Sequence, residues 1–343
     1  MFNPKYTISN RLLANIKRIT EIVAGLNSRS FSGVILAELE KRAREISAFS
    51  STSIEGNPLP LTDVKRLLKN KPEHIRDSEK EVLNYNKILI ELNDSIKNQE
   101  QFFDLSLILK IQKTVTEDLI EKHRSGKIRQ EPVFVNNPKT RKTVYLPPEH
   151  AEVPELMSEL IKWTTENENK IDSLILAGVF HKQMVIIHPF VDGNGRTARL
   201  ATKVLLAKMG LNTFNLFSFE NYYNQNVSKY FQEVGLLGNY YDINDAIDFT
   251  SWLEYFTDGI IDELLRVEKQ LGQEAASPEN ELKIFHKKII AYIEKHGFIS
   301  DRDYAKLTDR AKPTRNLDFR KLIELNMIEK QGNGKATYYK FKK

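Results

Sequence analysis

The sequence predicts a mainly α-helical protein that carries one small β-hairpin and ends in a separate basic module. Three observations lead to this fold class. Apolar residues recur three and four positions apart in most long segments, which is the spacing of one helix face. One stretch, at about 133–146, contains strand-like runs instead. Residues 280–343 hold 16 Lys and Arg against 8 Asp and Glu, so the excess positive charge lies at the end of the chain.

Composition restricts the function classes before any motif is considered. A chain of 343 residues is long enough for two or three domains, and 28% charged residues are ordinary for a globular protein. The absence of cysteine excludes disulfides, thiolate catalysis and cysteine-ligated zinc. No run approaches the roughly 18 apolar residues of a membrane helix, and the first residues lack the apolar core of a signal peptide. We therefore expect a cytoplasmic protein without a membrane partner.

The helical pattern covers the chain in segments separated by turn residues. The second helix from the start is expected to end at Glu55-Gly56-Asn57-Pro58, since Gly follows helices and Pro stops them. The segment 173–187 is aliphatic almost all round, so it is expected at the centre of a helical core. A stretch with glycine, serine and proline predicts a linker at 268–279. The other predicted helices lie at about 77–96, 105–119, 153–163, 200–211 and 252–265, with two between 10 and 54.

Two strand-like runs interrupt this pattern and predict a β-hairpin that Pro147-Pro148 ends. Its exposed edge could pair with an extended segment of another protein, or it could only cover the core. The residues alone favour the covering role. The members of the hairpin are Val133, Phe134 and Val135 in the first run, and 142–146, with Val144 and Tyr145, in the second.

The stretch HPFVDGNGRTAR, residues His188 to Arg199, follows the aliphatic helix directly. Gly193, Asn194 and Gly195 permit close approach and positive φ, so successive N–H groups can point into one concavity. The helix that follows adds the positive end of its dipole. Together these features predict an anion site suited to phosphate.

Charged residues accompany this predicted phosphate site. Arg196 and Arg199 are three positions apart, so they share a helix face and can fork onto phosphate oxygens. Asp192 is a hard oxygen ligand that fits Mg²⁺ held with phosphates, and His188 can take up a proton near neutral pH. Each residue alone also fits a turn, a surface arginine or a packed histidine, but their joint order favours a site. His181, two helical turns earlier, is expected to be a packed core histidine.

HPFVDGNGRTAR resembles the signature of the Fic domain family, H-x-F-x-[DE]-G-N-G-R-x-x-R, and matches it at every specified position. GKIRQEPVFVNNPKTRKTVYLPPEHAEVPELMSEL resembles the flap hairpin and following helix of that family, and SWLEYF resembles its closing helix. The resemblance implies a Fic-type helical bundle with a small β-hairpin flap. It divides the chain into an N-terminal helical segment at 1–78, a catalytic core at 79–267 and a C-terminal domain at 280–343.

The resemblance also implies an activity: transfer of AMP from ATP to a Ser, Thr or Tyr hydroxyl of a target protein, with release of pyrophosphate. The implied cofactor is Mg²⁺, with Mn²⁺ as an alternative. His188 is then the base on the target hydroxyl, Asp192 the metal ligand and Phe190 the anchor of the loop. The hairpin becomes the favoured docking site of the target protein. Tyr230 and Phe231 are candidates for the adenine pocket, although core packing also explains them. The implied phosphate site consists of Gly193, Asn194, Gly195, Arg196 and Arg199.

A second motif lies at the end of the second predicted helix. Ser51-Thr52-Ser53-Ile54-Glu55-Gly56 resembles the inhibitory motif [ST]-x-x-x-E-[GN] that many Fic proteins carry N-terminal to the catalytic domain. The resemblance implies that Glu55 pairs with Arg199, because a carboxylate competes with phosphate for one guanidinium. It therefore implies an autoinhibited enzyme with Ser51 and Glu55 as inhibitory residues.

The C-terminal residues predict a module of three helices and a hairpin. Its helices are expected at 282–296, from a cap at Ser300, and at 312–325, and its hairpin turns at Gly332-Asn333-Gly334. This order resembles a winged helix, which binds DNA through its last helix or serves as a protein-interaction or dimerisation module. The basic residues of that helix, which supply either phosphate contacts or a solvated face, are Lys312, Arg315, Arg320 and Lys321.

Three alternatives to protein adenylylation stay open at this point. The protein could remove AMP from proteins, it could transfer another nucleotide, or it could be a DNA-binding regulator whose Fic core senses nucleotide. An intact His188 does not separate removal of AMP from transfer. A homodimer is open as well.

Overall fold

Helices form most of the protein, as the spacing of apolar residues predicts. The computed structural model describes residues 2–29, 31, 33–98, 103–136, 142–211, 215–276 and 283–342. Within these residues, no helix is both long enough and apolar enough to cross a bilayer. The helices are α1 (Asn10–Asn27), α2 (Gly33–Ile54), α3 (Leu61–Lys69), α4 (Asp77–Lys97), α5 (Leu105–Val115), α6 (Val153–Asn167), α7 (Ser173–Ile187), α8 (Asn194–Leu206), α9 (Glu220–Gln225), α10 (Val227–Val234), α11 (Tyr240–Ile243), α12 (Thr250–Ala276), α13 (Ile284–His296), α14 (Asp301–Ala305) and α15 (Lys312–Glu324). The strands are β1 (Val135–Asn136), β2 (Thr143–Leu146), β3 (Gly238–Asn239), β4 (Ile299–Ser300), β5 (Ile328–Gln331) and β6 (Tyr338–Phe341).

Helix α7 lies at the centre of the helical core, which confirms the position expected for this aliphatic segment. Every residue from Leu174 to Met184 is buried. The helix packs against α6 and α8, and the indole N–H of Trp252 in α12 donates to the carbonyl of Gly178 at 2.7 Å. Because the helix is held in the core, the backbone position of His188, the residue that follows it, is fixed as well.

The predicted hairpin is part of a three-stranded sheet in the order β1-β2-β3. Val135 of β1 lies opposite Tyr145 of the antiparallel β2, and Tyr145 also lies opposite Gly238 of β3, which runs parallel to β2 and was not predicted. Strand β2 therefore has neighbours on both sides, and among the described strands of this sheet β1 has an open outer edge. Residues 137–141, most of the polar stretch between the two predicted runs, lie outside the described residues.

Two helix ends test the predicted boundaries. Helix α2 ends at Ile54, and Gly56 beyond it has a φ of 95°, as the stop signal predicts. Helix α12 continues to Ala276, so the linker predicted at 268–279 is wrong up to that residue, and 277–279 lie outside the described residues. The buried Leu271 extends the apolar stripe of the helix. The free energy gained by burying this side chain outweighs the cost of roughly 1 kcal/mol for the glycine in this part of the helix.

The chain divides into two compact units. The first comprises Met1–Ser28 and Ala43–Val267, and the second comprises Arg29–Arg42 and Glu268–Lys343. Residues 1–28 and 43–78 thus share a unit with the predicted core at 79–267, although the resemblance groups 1–78 as a separate N-terminal segment.

The second unit contains a hydrophobic core of its own between α13, α14, α15 and an antiparallel sheet in the order β4-β6-β5. Tyr304 and Phe319 are fully buried there, and the side chain of Ser300 caps α14 as predicted. The three predicted helices and the terminal hairpin are present, and β4 extends the hairpin to three strands. The aliphatic members of the core are Ile289, Ile293, Ile299, Leu322 and Ile328.

Candidate active site

The motif predicted as a phosphate site begins at His188, where α7 ends. The backbone of His188 is left-handed, with φ 50° and ψ 60°, and its N–H donates to the carbonyl of Met184 at 3.1 Å. Ring nitrogen Nδ1 lies 3.3 Å from the carbonyl oxygen of Val185. A carbonyl oxygen only accepts, so we assign the tautomer with hydrogen on Nδ1. Nε2 is then the atom of His188 that can accept a proton.

Side chains from outside the motif satisfy the carbonyls that the end of α7 leaves open. The hydroxyl of Tyr145 donates to the carbonyl of Ile186 at 3.0 Å. Arg129 donates from Nε to the carbonyl of His188 at 2.8 Å and from Nη2 to that of Ile187 at 3.5 Å. Arg129 is 3% exposed. Sequence reasoning missed it, because one arginine in a loop carries no local pattern that distinguishes a buried position from an exposed one.

The loop between α7 and α8 is closed by the side chain of Asn194. Its Oδ1 accepts from the backbone N–H of Phe190 at 2.9 Å, and its Nδ2 donates to the carbonyl of Phe190 at 2.8 Å. Phe190 is fully buried, which confirms the prediction that it anchors the loop in the core. Gly193 caps α8 with a φ of 82°, a conformation that glycine adopts without strain.

Arg196 and Asp192 are paired with each other at the start of α8. Nη2 of Arg196 lies 3.0 Å from both carboxylate oxygens of Asp192, and Nη1 lies 2.7 Å from Oε1 of Glu81 on α4. Arg196 is buried, whereas the side chain of Asp192 is 47% exposed. Two carboxylates therefore face one guanidinium, and that of Asp192 is the more exposed of the two. Sequence reasoning missed Glu81, which lies on a helix far from the motif.

Arg199, the last residue of the motif, is fully buried and is held by the end of α2. Its Nε donates to Oγ of Ser51 at 2.8 Å, and its Nη2 donates to the carbonyl of Ser51 at 2.8 Å and to Oε1 of Glu55 at 2.7 Å. Burial acts to lower the pKa of Arg199, but the charge of Glu55 and other neighbours raise it above its ordinary value overall. The structure thus brings the two predicted inhibitory residues onto the second arginine of the motif.

Glu55 also lies against the first turn of α8. A Cβ added to Gly195 would overlap Oε1 of Glu55, so a side chain at this position would displace the carboxylate. The first turn of a helix presents N–H groups without intrahelical partners and the positive end of the dipole. The carboxylate of Glu55 therefore lies beside the part of the motif that the sequence predicts to bind phosphate.

A cavity of about 740 Å³ joins these groups. His188, Asn194, Gly195, Arg199 and Glu55 line it on the motif side. Val135 and Val144 of the sheet line it as well, together with residues of α10 and of the segment that follows α10. Ligand cavities for molecules of nucleotide size have volumes of about 300–1,000 Å³.

The two residues predicted for an adenine pocket differ in exposure, although both line the cavity. Phe231 is 38% exposed, whereas Tyr230 is fully buried. The hydroxyl of Tyr230 lies 3.5 Å from Nη1 of Arg199 and 3.0 Å from Nε2 of His181. Burial, with a smaller contribution from the charge of Arg199, lowers the pKa of His181 to about 3. His181 is therefore a neutral, buried histidine with a hydrogen-bond partner, which confirms its expected place in the core.

The five hairpin residues predicted to dock a target protein lie in different environments. Phe134 is 61% exposed, whereas Tyr145 is buried and holds the end of α7. Val133, Val135 and Val144 are partly buried. Because β2 already has two neighbours, β1 is the strand of the hairpin whose outer edge could accept an added strand.

The site keeps His188 in the form that a base needs. Burial lowers the pKa of His188 below its usual value, although the contact with the carbonyl of Val185 and the charge of Glu55 act to raise it. An imidazole with a lowered pKa is neutral at neutral pH, and only the neutral form accepts a proton.

Asp192 is the residue that fits a divalent cation. In the described part of the chain, no group of three or more His, Asp or Glu side chains is arranged to hold a metal ion. Mg²⁺, however, is commonly bound by one or two carboxylates together with substrate phosphates. The exposed carboxylate of Asp192 keeps lone pairs beyond its contacts with Arg196 and the backbone N–H of Gly193, so it fits Mg²⁺ or Mn²⁺ where phosphates supply further ligands.

Fold and site together define a helical protein in which a neutral histidine, a helix N-terminus and a buried arginine line one cavity. The sequence profile of the Fic/DOC family matches residues 102–206, which include α7, the motif and α8. Residues 102–206 of the chain therefore form a Fic domain.

Relatives and solved structures agree with this assignment. A protein adenylyltransferase Fic from Drosophila erecta is 26% identical over 228 residues, which cover 59% of this chain and 43% of that protein. The match thus spans less than half of the length of that relative. A crystal structure of a Fic family protein from Desulfovibrio desulfuricans G20 has a TM-score of 0.64 at 20% identity and covers 99% of this chain and 98% of its own. A Fic domain containing signaling protein from Bacteroides thetaiotaomicron VPI-5482 has a TM-score of 0.60 at 21% identity, over 76% of this chain and 98% of its own. At these identities the two structures show the fold.

Proposed function

We propose that the protein transfers AMP from ATP to a Ser, Thr or Tyr hydroxyl of a target protein and releases pyrophosphate. The observation that carries the proposal is the cavity of about 740 Å³ shared by His188, the start of α8 and Arg199. A base, a helix N-terminus and a guanidinium are the groups that nucleotidyl transfer to a hydroxyl requires. The name of the Drosophila erecta relative supports the same chemistry. A cytoplasmic location, where ATP is abundant, is part of this proposal.

In the proposed reaction, Nε2 of His188 accepts the proton of the target hydroxyl while the hydroxyl oxygen attacks the α-phosphorus of ATP. The bond from that phosphorus to the bridging oxygen breaks, and pyrophosphate leaves. Arg199 and the N–H groups at the start of α8 bind phosphate oxygens and stabilise the charge that develops there. Asp192 would hold Mg²⁺ or Mn²⁺, which offsets phosphate charge when bound.

We propose further that Glu55 withholds this activity. Oε1 of Glu55 lies 2.7 Å from Nη2 of Arg199, and a phosphate oxygen would need the same donor. The same carboxylate lies against Gly195, at the helix start where phosphate would bind. One residue therefore competes with ATP at both groups, and release of Glu55 is the step that permits productive binding.

The position of the label in ATP tests the transfer. Glu55→Gly protein incubated with host lysate is expected to label a protein, itself included, from α-labelled ATP and not from γ-labelled ATP. His188→Ala in the same background is expected to abolish the label, while His150→Ala, a change at a partly exposed histidine of the first unit, preserves it. No label from α-labelled ATP in Glu55→Gly would contradict the proposal, and label from γ-labelled ATP would assign phosphoryl transfer instead.

Two related reactions would use the same groups, removal of AMP from a modified protein and transfer of another nucleotide. Release of AMP from a protein labelled beforehand would identify removal of AMP. Competition by unlabelled GTP, CTP and UTP tests for transfer of another nucleotide, since label at an ATP-specific site is expected to decrease only when unlabelled ATP is added. A core that only senses nucleotide would bind ATP and label nothing.

The sheet beside the cavity supports a docking role. The outer edge of β1 at Val135–Asn136 has backbone groups that can pair with an extended target segment, and Val135 lines the cavity with His188. Strand addition at this edge would bring a target hydroxyl to the same cavity as Nε2 of His188.

For residues 283–342 we propose a separate function, DNA binding by a winged helix. Lys312, Arg320 and Lys321 are exposed on α15. Arg315, the fourth basic residue of this helix, is instead paired with the carboxylate of Asp301 at 2.8 and 2.9 Å. Three cations on one exposed helix of a basic module suit phosphate contacts.

Fluorescence anisotropy of a labelled random duplex tests this second function in the full chain. We expect binding at low salt that weakens as salt increases, and a loss of binding in the triple alanine variant of Lys312, Arg320 and Lys321. Lys287→Ala, which removes an exposed cation from α13, is the control with little effect. Binding that is equal in the triple variant and the parent, or no binding at low salt, would contradict DNA recognition by α15.

A further inference from the structure

We propose that Arg129 is a positioning residue for His188, because its buried guanidinium fixes the left-handed turn that presents Nε2 to the cavity. The inference rests on the proposed function, since it assigns Arg129 a role in the same reaction. Arg129 lies outside the motif and lines no part of the described cavity.

Arg129 holds three consecutive carbonyls at the end of α7. Its backbone N–H donates to the carbonyl of Pro189 at 2.9 Å, its Nε to that of His188 at 2.8 Å, and its Nη2 to that of Ile187 at 3.5 Å. The hydrogen-bond acceptors that the described residues supply to Arg129 are all backbone carbonyls. The remaining two are Glu131, at 3.2 Å from Nη1, and Pro148, at 2.5 Å from Nη2.

The chemistry of this helix end explains why an arginine stands there. The last carbonyls of a helix lack intrahelical partners and carry the negative end of the dipole. A guanidinium supplies a positive charge together with five N–H donors in a rigid planar fork, whereas an ammonium group has the charge but not the fork. A left-handed backbone is unfavourable for a residue with a Cβ, so the turn at His188 persists only where its surroundings hold it.

The same guanidinium joins the turn to the hairpin. Arg129 lies six residues before Val135, the first residue of β1, and its Nη2 contacts the carbonyl of Pro148, two residues after the end of β2. Both ends of the hairpin are therefore tied to the backbone of His188 through one side chain. Under the proposed function, Arg129 sets the distance between a target hydroxyl on β1 and the base that takes its proton.

Steady-state kinetics in the Glu55→Gly background test this role. Arg129→Lys keeps the charge but loses the fork, so we expect the kcat of AMP transfer to fall about 10- to 100-fold, as small misplacements of reacting groups produce. The KM for ATP is expected to change less than about 2-fold, because the hydrogen bonds described for Arg129 reach neither the start of α8 nor Arg199. Arg129→Gln is expected to act in the same direction. Arg124→Lys, in the same loop but paired with surface carboxylates, is the matched control with unchanged kcat.

Four results would overturn the positioning role. They are an unchanged kcat in Arg129→Lys, an effect confined to the KM for ATP, an equal fall in kcat in Arg124→Lys, and unfolding of both Arg129 variants at the assay temperature. The last would make Arg129 a residue of the fold as a whole, and thermal unfolding of each variant measures it.

A spectroscopic readout separates this inference from the proposed function. If the Glu55→Gly parent transfers no AMP, the proposed function fails, but the ring signals of His188 in NMR spectra still report the turn. Arg129→Lys is expected to shift those signals and Arg124→Lys to leave them in place. Unshifted His188 signals in Arg129→Lys would overturn the positioning role without reference to activity.

Discussion

Arg199 is the residue on which the proposed activity and its restraint both depend. Its guanidinium is fully buried, and a buried cation without a counter-ion is strongly unfavourable. Glu55, whose side chain is 30% exposed, supplies the negative charge in this structure. When the carboxylate leaves, another anion must take its place, and the phosphates of ATP carry that charge into the same cavity. Under the proposed function, the burial of one arginine therefore couples release of Glu55 to binding of nucleotide.

Under the proposed function, protonation of a second residue, His188, determines how the transfer rate depends on pH. Burial lowers the pKa of His188, and the charge of Glu55 is among the influences that raise it. Removal of Glu55 therefore leaves the pKa below the ordinary value of 6.5. The base is neutral above its pKa, so the rate is lost only as pH falls through that lowered value. We expect the acid limb of kcat/KM for Glu55→Gly, which reports groups of the free enzyme, to have its midpoint below 6.5. A midpoint above 6.5 that His188 determines would contradict the assignment of this buried imidazole as the base.

At the scale of elements, the end of α2 is the part that holds Arg199. Ser51 accepts from Nε of Arg199 through its hydroxyl and from Nη2 through its carbonyl, and Glu55 follows one turn later. One turn before Ser51, the hydroxyl of Ser47 donates to the buried Glu220 at 3.1 Å and accepts from Lys203 at 3.1 Å. The carboxylate of Glu55 thus follows a helix that buried polar contacts hold in place.

Ser51→Ala tests the contribution of the contact between Ser51 and Arg199. The change removes one acceptor from Arg199 but leaves Glu55, so we expect AMP transfer to increase above the wild-type rate and to stay below that of Glu55→Gly. The lost hydrogen bond to a charged group corresponds to about 1.5–3 kcal/mol. Ser53→Ala, on the same helix without a described contact to Arg199, is the control with a wild-type rate. A rate in Ser51→Ala equal to or below wild type would show that Glu55 needs no help from this helix turn.

At the scale of the whole molecule, the chain forms two units, each with buried residues of its own. In the second unit the ring of Phe319 stacks on Tyr339 with centroids 4.0 Å apart and is fully buried. The proposed transfer chemistry involves residues of the first unit, and the proposed DNA contacts involve residues of the second. A substitution in one unit can therefore remove the activity proposed for that unit and leave the activity proposed for the other.

Phe319→Ala tests the core of the second unit. Removal of a fully buried aromatic ring is expected to lower its free energy of unfolding by about 3–5 kcal/mol. Amide hydrogen exchange of α13 and α15, measured against urea, reports this unit. Phe298→Ala, which truncates a phenylalanine that is 50% exposed in the same unit, is the control with a much smaller effect. Equal losses in the two variants would contradict a core centred on Phe319.

The sequence predicts those parts of the fold and site whose groups lie close together along the chain. His188, Gly193 and Arg199 belong to one turn and one helix, so their proximity follows from local geometry. The pairing of Arg199 with Glu55 was expected only from the resemblance to a family, since no local rule joins residues 144 positions apart. Arg129 could not be predicted, because burial of a loop arginine is decided by tertiary packing. Packing also extends α12 beyond its glycine, where the sequence alone suggested a linker.

The competition between Glu55 and ATP for Arg199 is the central claim, and the initial rate of AMP transfer in two proteins tests it most directly. We expect Glu55→Gly to transfer AMP from α-labelled ATP at least about 10-fold faster than the wild type, since a charge-assisted bond of roughly 1.5–3 kcal/mol no longer opposes phosphate. Equal rates in the two proteins, or a slower rate in Glu55→Gly, would contradict the account.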